Sequence, residues 1–226
     1  QGRGHPAGNY MTNSSEKSRF LKACRREAVD ATPVWFMRQA GRILPNYQEL
    51  KEKYAFQELM DDPDLAARVT LMPVYDLEVD AAILFSDILV VPVALGLDIS
   101  FTGHGPVFKS PLSKVKHPSE ALKPDTSKLD YIYKNIEAVV KNRPEDIPLI
   151  GFCGAPLTTL CYMVQGTGKD PSFPDVVKYL YTNKTDARNK NNQQPYFVRI
   201  KNVKWFWTII FIGQNRKNNS SNDRKF

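Results

Sequence analysis

The sequence is poor in cysteine and histidine, with three of each among 226 residues. An odd number of cysteines excludes a complete set of disulfides, and two of them, Cys153 and Cys161, lie in segments whose apolar pattern predicts burial. His5, His104 and His117 have neither one another nor a cysteine at the spacing of zinc ligands. The composition therefore predicts an intracellular protein of a reducing compartment, with no disulfide framework and no metal site.

The sequence also lacks a segment suited to a membrane or to secretion. The apolar run at residues 205–212 is far shorter than the roughly 20 residues that a membrane-spanning helix needs. Residues 1–17 include a stretch rich in Gly, Asn and Ser and have no apolar core of the length of a secretory signal. We expect no membrane span, and a disordered leader over residues 1–17.

Acidic residues are nearly absent from the last part of the chain. The net charge of +7 and the pI near 9.2 would by themselves suggest a nucleic-acid partner. However, residues 188–226 hold nine of the 31 basic residues and one of the 24 acidic residues, which leaves 22 basic and 23 acidic side chains in residues 1–187. Because the body of the chain is almost neutral, we expect no nucleic-acid partner.

Residues 188–226 are rich in Asn and Lys and have neither a helical nor an alternating apolar pattern. We interpret them as a tail that follows the folded part of the chain, residues 18–187. Two origins stay open for this tail. A frameshift or an unspliced intron would produce such non-native sequence, and a functional basic tail or membrane-surface anchor is the alternative.

Two arginines follow a short apolar segment near the start of the folded part. Residues 34–37 predict a buried strand between Pro33 and a glycine turn, and Arg38 and Arg42 bracket that turn. A guanidinium group binds a carboxylate through two hydrogen bonds at once. Two such groups on one loop indicate a substrate with several carboxylates, whereas ion pairs to acidic residues of the protein are the structural alternative.

Two further apolar segments predict strands that end in polar or small residues. The run that begins at Ala81 stops at Ser86 and Asp87, and the run that begins at Pro148 ends in the small residues 153–155. A carboxylate therefore follows one strand, and a tight turn follows the other. The carboxyl-terminal edge of a parallel sheet is where ligands bind in α/β folds.

Helices are predicted between and after these strands. Asp62 followed by Pro63 is typical of a helix start. Residues 130–141 have a helical period, and residues 157–164 predict a further helix that carries Tyr162. The first of these helices has an inward apolar stripe formed by Leu65, Ala66, Val69 and Met72. Strands that alternate with helices predict a parallel α/β sheet.

Four blocks of this sequence resemble the uroporphyrinogen decarboxylase family. They are residues 37–42, 80–90, 150–156 and 162–166, in the family's order and spacing, and the resemblance extends over residues 20–186. The resemblance implies an α/β fold of the (β/α)₈ TIM-barrel type. Such a barrel needs about 250 residues, so we expect this chain to hold only the amino-terminal part of a barrel, over residues 18–187.

The resemblance also implies the reaction and the residues that perform it. The family removes four acetate carboxyl groups from uroporphyrinogen III to give coproporphyrinogen III, without a metal or an organic cofactor, as a cytoplasmic homodimer. Asp87 would accept hydrogen bonds from the pyrrole N–H groups, and its structural alternative is to cap the next helix. Arg38 and Arg42 would hold substrate carboxylates or deliver a proton, and Tyr162 would donate a hydrogen bond near the reacting acetate. The expected substrate-binding residues are Arg38, Gln39, Ala40, Gly41, Arg42, Ile83, Phe85, Asp87, Phe152 and Tyr162.

Departures from the family pattern keep two alternatives open. Ile43, Leu157 and Gln165 stand where the family usually has tyrosine, tryptophan and glutamate, which bears on packing rather than on the assigned groups. The family's serine and histidine site residues belong to a second half that this chain lacks. One alternative is a truncated, inactive product of the enzyme. The other is a methyltransferase of the same superfamily, which typically has a His-x-Cys zinc motif in its later half.

Overall fold

The structure of the chain is a computed structural model, and it describes residues 17–35, 43–102, 105–115, 121–170 and 172–182. Most of the predicted leader, the loop with the two arginines at 36–42 and the predicted tail lie outside the described residues. His104 and His117 also lie outside them.

Helices make up about half of the described residues, and four short strands lie between them. The elements follow one another as α1 (Arg19–Cys24), α2 (Pro45–Lys53), α3 (Phe56–Asp61), α4 (Pro63–Leu77), β1 (Ala82–Ile83), α5 (Val90–Ala94), β2 (Ile99–Thr102), β3 (Gly105–Phe108), the 3₁₀ turns Leu112–Lys114 and Thr126–Leu129, α6 (Asp130–Asn142), β4 (Leu149–Ile150), α7 (Pro156–Gln165) and α8 (Pro174–Thr182).

Strands β1 and β4 form a parallel pair, as the sequence pattern predicted. Ala82 lies opposite Leu149 and Ile83 lies opposite Ile150. Ala82 is fully buried, because helices α4 and α6 pack over the pair and enclose its apolar residues. In the described part of the chain, this pair and its helices form a mixed helix and strand core with two parallel strands.

Helix α4 begins where the sequence predicted. The Asp62 carboxylate accepts the backbone N–H groups of Asp64 and Leu65, both at 2.9 Å, and Pro63 occupies the first helical position. These bonds satisfy backbone donors that have no partner inside the helix. Three members of the predicted inward stripe are buried, and Leu65 is partly buried; the buried members are Ala66, Val69 and Met72.

Helix α6 matches the predicted segment and anchors the neighbouring helices. Its apolar side faces α4 through Ile132 and Val139, which are both buried. Asn135 is also buried, and its side-chain N–H donates to the backbone oxygen of Met60 at 2.7 Å. This hydrogen bond ties α6 to α3, because a buried amide that lost its partner would cost free energy of folding.

The predicted strand at residues 34–37 is wrong over the part that the structure describes. Val34 and Trp35 are not in a strand, and the Val34 side chain is 43% exposed. The backbone of Val34 instead bonds to one residue, Asp80, through its N–H and through its carbonyl oxygen. A single residue thus satisfies the polar groups that a strand ladder would have satisfied.

Strands β2 and β3 form an antiparallel pair that the sequence pattern did not predict. Strands β2 and β3 pair from Ile99 opposite Phe108 to Thr102 opposite Gly105. Gly105 has a φ of +100°, which favours glycine at the turn. Among the described residues, no helix is both long enough and apolar enough to cross a membrane.

Candidate functional site

The residues that follow β1 and β4 lie at the same edge of the sheet, because the two strands run parallel in direct register. Asp87 comes four residues after the end of β1, and the turn at 151–155 comes directly after β4. The structure therefore brings together two of the segments that the sequence selected.

Asp87 is a partly buried carboxylate at the turn before α5. Its Oδ1 accepts the backbone N–H of Leu89 at 2.7 Å, while no described residue donates to its second oxygen. Burial raises the pKa of Asp87, and the bond from Leu89 opposes this effect. The carboxylate caps the turn rather than α5 itself, since Leu89 is the residue that precedes that helix. Asp87 thus has one oxygen fixed and its charge partly desolvated.

The turn after β4 packs directly against the turn that holds Asp87. Gly154 makes this approach possible: a Cβ atom at residue 154 would lie 3.1 Å from Ile88 Cβ and 2.5 Å from Thr159 Oγ1. The missing side chain therefore lets the β4 turn sit between Ile88 and the first part of α7. Conformational freedom of the backbone is not the reason for this glycine, and the sequence alone gave no sign of the contact.

Tyr131 of α6 is a further residue that the sequence did not single out. Burial, and then the negative charges of Asp61 and Asp87, raise the pKa of Tyr131 to about 12. Its hydroxyl therefore keeps its proton throughout the neutral range. A partly buried tyrosine on an amphipathic helix gives no signal in the sequence that separates it from ordinary core.

Tyr162 lies on α7 and packs away from the start of that helix. Its ring makes an edge-to-face contact with Phe173, with 5.6 Å between the ring centroids. A Cβ atom at Gly168 would lie 2.8 Å from Tyr162 Cε1 and 3.3 Å from its hydroxyl oxygen. In the described part of the chain, Tyr162 lies in an apolar cluster that joins α7 and α8 to α5, to the β2–β3 pair and to Ile88 and Leu89 beside Asp87. The contacts of its ring with Phe173 and with the Gly168 position do not reach Asp87 itself.

The three apolar residues predicted for the substrate pocket differ in their surroundings. Phe85 packs edge to face against Phe56 at 5.4 Å and against Tyr47 at 6.1 Å between ring centroids. Ile83 is partly buried in β1, and Phe152 is 39% exposed just after β4. Phe152 therefore leaves the most surface free for a ligand, whereas Phe85 belongs to an aromatic cluster of α2 and α3.

The predicted arginine loop lies outside the described residues, and this includes Arg38, Gln39, Ala40, Gly41 and Arg42. The segment that leads to it is described.

That segment is fixed by an ion-pair network. Arg19 Nη1 donates to Asp80 Oδ1 at 2.8 Å, and the same guanidinium donates to both oxygens of Asp30 at 2.7 and 2.6 Å. Asp80 Oδ2 in turn accepts the backbone N–H of Val34 at 2.7 Å. Arg19 lowers the pKa of Asp30 to about 2. The segment before the arginine loop is thus joined to the residues that enter β1.

Within residues 17–182, the described part contains no group of three His, Cys, Asp or Glu side chains that could hold a metal ion. Cys24, Cys153 and Cys161 are free thiols, and burial raises the pKa of the last two. Both thiols therefore favour the protonated form, which is the weaker nucleophile and metal ligand.

Comparison with known proteins identifies relatives over most of the described residues. The family model described as uroporphyrinogen decarboxylase matches residues 15–189. The uroporphyrinogen decarboxylase of Nitratiruptor sp. is 46% identical over 165 residues, which are 72% of this chain and 48% of that protein. The enzyme of the same name from Legionella pneumophila (strain Paris) is 43% identical over 175 residues, which are 76% of this chain and 49% of that protein.

These relatives are about twice as long as the matched region, so the chain spans about half of their length. A solved structure with a similar fold is a methyltransferase from Methanosarcina mazei, with a TM-score of 0.51 and 20% identity. The superposition covers 75% of this chain and 49% of the methyltransferase. At this identity, the likeness concerns the fold alone.

Proposed function

Because the chain belongs to the uroporphyrinogen decarboxylase family, we propose that it is the amino-terminal half of an enzyme that converts uroporphyrinogen III to coproporphyrinogen III. The observation that carries this proposal is the family match over residues 15–189, together with a partly buried carboxylate, Asp87, at the ligand edge of the β1–β4 pair. The reaction is a cofactor-free loss of four acetate carboxyl groups.

The chemistry gives Asp87 its proposed role. Loss of CO₂ from an acetate on a pyrrole needs an electron acceptor, and a pyrrole ring protonated at the neighbouring carbon provides one. That ring carries a positive charge during the reaction. A fixed carboxylate next to it stabilises the cation most where water is partly excluded. Asp87 meets this requirement, because its Oδ1 is held by Leu89 N–H and its charge is partly desolvated.

The other proposed contacts concern the eight carboxylates of the substrate and its apolar ring edges. Arg38 and Arg42 grip carboxylates through their planar guanidinium groups, and residues 39–41, which lie between them in the sequence, complete this part of the proposed binding site. Tyr162 donates a hydrogen bond near the reacting acetate. Phe152 and Ile83, which flank the ends of the paired strands, contact the macrocycle, and Phe85 supports that wall.

We further propose that this chain supplies one side of the site and that the rest of a TIM barrel supplies the other side. The chain spans about half the length of its relatives, so we assign catalysis to the completed barrel and not to this chain alone. A truncated, inactive product of the enzyme fits the same sequence. The cytoplasmic location and the homodimer are part of this proposal.

The test uses a completed chain, defined as residues 17–182 of this protein followed by the carboxyl-terminal half of the Nitratiruptor relative. Asp87→Asn keeps the shape of the side chain and an acceptor for Leu89 N–H, but it removes the charge. We expect this variant to fold and to lose most of its turnover, roughly a hundredfold or more, since the cationic intermediate loses its counter-charge.

The matched control is Asp98→Asn. Asp98 is an exposed aspartate whose ion pair with Lys109, at 3.4 Å, lies on the surface. Its removal should leave turnover unchanged. Product formation is followed by chromatography under anaerobic conditions, and an Asp87→Asn rate within a few-fold of the parent would refute the role of Asp87.

A further inference from the structure

Thr70 is a buried hydroxyl in the middle of α4, with only 1% of its surface exposed. Its Oγ1 donates to the backbone oxygen of Ala66 at 2.7 Å, which is common for threonine inside a helix. The same Oγ1 also accepts the backbone N–H of Phe85 at 2.9 Å. The second bond is the informative one, because it joins the core helix to the segment that follows β1.

The bond from Phe85 lies where strand pairing ends. Leu84 N–H donates to the Ile150 oxygen at 3.0 Å, on the side of β4. In an extended segment, successive N–H groups point to opposite sides, so Phe85 N–H needs a partner away from β4. Thr70 provides that partner from the core. The Thr70 hydroxyl thus accepts the hydrogen bond that a backbone carbonyl of a neighbouring strand would otherwise accept.

Asp87 is only two residues beyond Phe85, a distance that extended chain spans with at most about 7 Å. The Phe85 ring is held by Phe56 and Tyr47, and its N–H is held by Thr70. On the other side, Asp87 Oδ1 holds Leu89 N–H. Asp87 therefore lies between Phe85 and Leu89, whose backbone N–H groups are both hydrogen-bonded. The bond on the Phe85 side is accepted by the Thr70 hydroxyl.

We propose that Thr70 is a positioning residue for Asp87. This inference rests on the proposed function, since it matters for catalysis only if Asp87 faces the substrate. Thr70 itself touches neither substrate nor reacting atoms. Its hydroxyl sets the path of residues 85–87 from inside the core, and loss of that hydroxyl lets the carboxylate move away from its working position.

The test compares Thr70→Val with Thr70→Ser in the completed chain. Valine keeps the shape and removes the hydroxyl, so Phe85 N–H is left without its acceptor. Serine keeps the hydroxyl and removes the methyl group. We expect Thr70→Val to lower kcat by about 10- to 100-fold with KM within about twofold, because small displacements of a catalytic group are costly. Thr70→Ser should keep kcat within about threefold of the parent, even if its Tm falls as far as that of the valine variant.

A second measurement does not depend on turnover. The amide signals of Phe85 and Leu89 are followed by NMR in the completed chain labelled with ¹⁵N-phenylalanine and ¹⁵N-leucine, as pH is varied. Leu89 N–H reports the titration of Asp87, to which it donates. We expect Thr70→Val to shift both the Phe85 signal and the midpoint of the Leu89 titration, and Thr70→Ser to leave that midpoint unchanged.

The outcomes separate this inference from the proposed function. A Phe85 signal that moves while the midpoint of the Leu89 titration stays fixed would overturn the positioning role. The same conclusion would follow if kcat of the Thr70 variants fell only in parallel with their Tm, whether or not the hydroxyl is present. Should Thr70→Val fail to fold, Thr70→Ala is tested by the same criteria. If Asp87→Asn retains turnover, the proposed catalytic role of Asp87 fails, whereas the Leu89 titration still decides whether Thr70 positions Asp87.

Discussion

Val34 and Asp80 are joined by two hydrogen bonds, although they are 46 residues apart in the sequence. The Val34 N–H donates to Asp80 Oδ2 at 2.7 Å, and the Asp80 N–H donates to the Val34 oxygen at 3.0 Å. Arg19 completes the contact through the other carboxylate oxygen of Asp80, at 2.8 Å. The segment that leads to Arg38 and Arg42 is thereby fastened to the segment that leads to Asp87.

Asp80→Ala in the completed chain should therefore lower the free energy of unfolding by about 1–3 kcal/mol, because Val34 N–H and the Arg19 guanidinium both lose an acceptor. Asp80→Asn keeps an acceptor and should cost less. The control is Asp98→Ala, at an exposed ion pair, which should change stability by less than about 0.5 kcal/mol. Urea unfolding measures the stability of all three variants. Equal losses of stability at residues 80 and 98 would show that the hydrogen bonds of Asp80 with Val34 and Arg19 do not stabilise the fold.

Asp87→Asn should stabilise the folded protein at neutral pH while it removes activity. Burial raises the pKa of Asp87, so the folded state binds more protons than the unfolded state between the ordinary carboxyl pKa, about 4, and the raised value. Stability therefore falls as pH rises through that window and stays lower above it.

Asparagine avoids this loss, since it carries no charge and its oxygen still accepts Leu89 N–H. Thermal unfolding of parent and variant from pH 3 to pH 8 measures the effect. The gain in Tm should be present at pH 7 and should vanish below about pH 4, where Asp87 is protonated in both states. A variant that is less stable than the parent at pH 7 would show that the charge of Asp87 is compensated by a partner.

Arg38→Lys and Arg42→Lys should each impair the completed chain, although both keep the positive charge. An ammonium group cannot reproduce the planar two-point grip of a guanidinium on a carboxylate. A hydrogen bond to a charged group contributes roughly 1.5–3 kcal/mol, so kcat/KM should fall about 10- to 100-fold. Arg68→Lys, at an exposed position of α4, is the control and should leave kcat/KM unchanged. Unchanged values for residues 38 and 42 would mean that these arginines pair with acidic residues of the protein.

Gly154→Ala should destabilise the protein by about 1–3 kcal/mol, as is typical of overpacking. The added methyl group would lie 2.5 Å from Thr159 Oγ1 and 3.1 Å from Ile88 Cβ, so the β4 turn and the Asp87 turn must separate. The double variant Gly154→Ala/Thr159→Ala removes the nearer obstacle and should recover part of the loss. Calorimetry of both variants tests this contact, and a fully tolerated Gly154→Ala would show that the two turns do not touch.

The elements that the sequence predicted well have strong local signals. Helix α4 has Asp62 as its cap and Pro63 in its first turn, and both act within a few residues of the helix start. Helix α6 buries one side of a regular amphipathic repeat, with Ile132 and Val139 in the core. In both cases the residues that determine the helix lie within it or within a few residues of its start.

The features that the sequence did not predict depend on residues far apart in the chain. The interpretation of 34–37 as a strand was wrong at Val34, because its partner is a carboxylate 46 residues away rather than a ladder. Thr70 looks like any core residue of α4 until Phe85 is seen to donate to it. Asp87 was identified through family resemblance, and its bond to Leu89 N–H holds the turn before α5 rather than capping that helix.

The 226-residue chain alone should not decarboxylate uroporphyrinogen at a useful rate. It spans about half the length of its relatives, so substrate would be held from one side only, and the positioning that supplies much of a rate enhancement would be missing. Strand edges that the rest of a barrel would pair also favour aggregation.

The purified chain is incubated with uroporphyrinogen under anaerobic conditions, and the products are resolved by chromatography. The separately produced carboxyl-terminal half of the Nitratiruptor relative is then added. We expect no coproporphyrinogen from the chain alone and measurable product from the mixture, because the added half supplies the opposite wall of the site. A rate for the chain alone that approaches that of the intact relative would show that half a barrel, through self-association, is sufficient for catalysis.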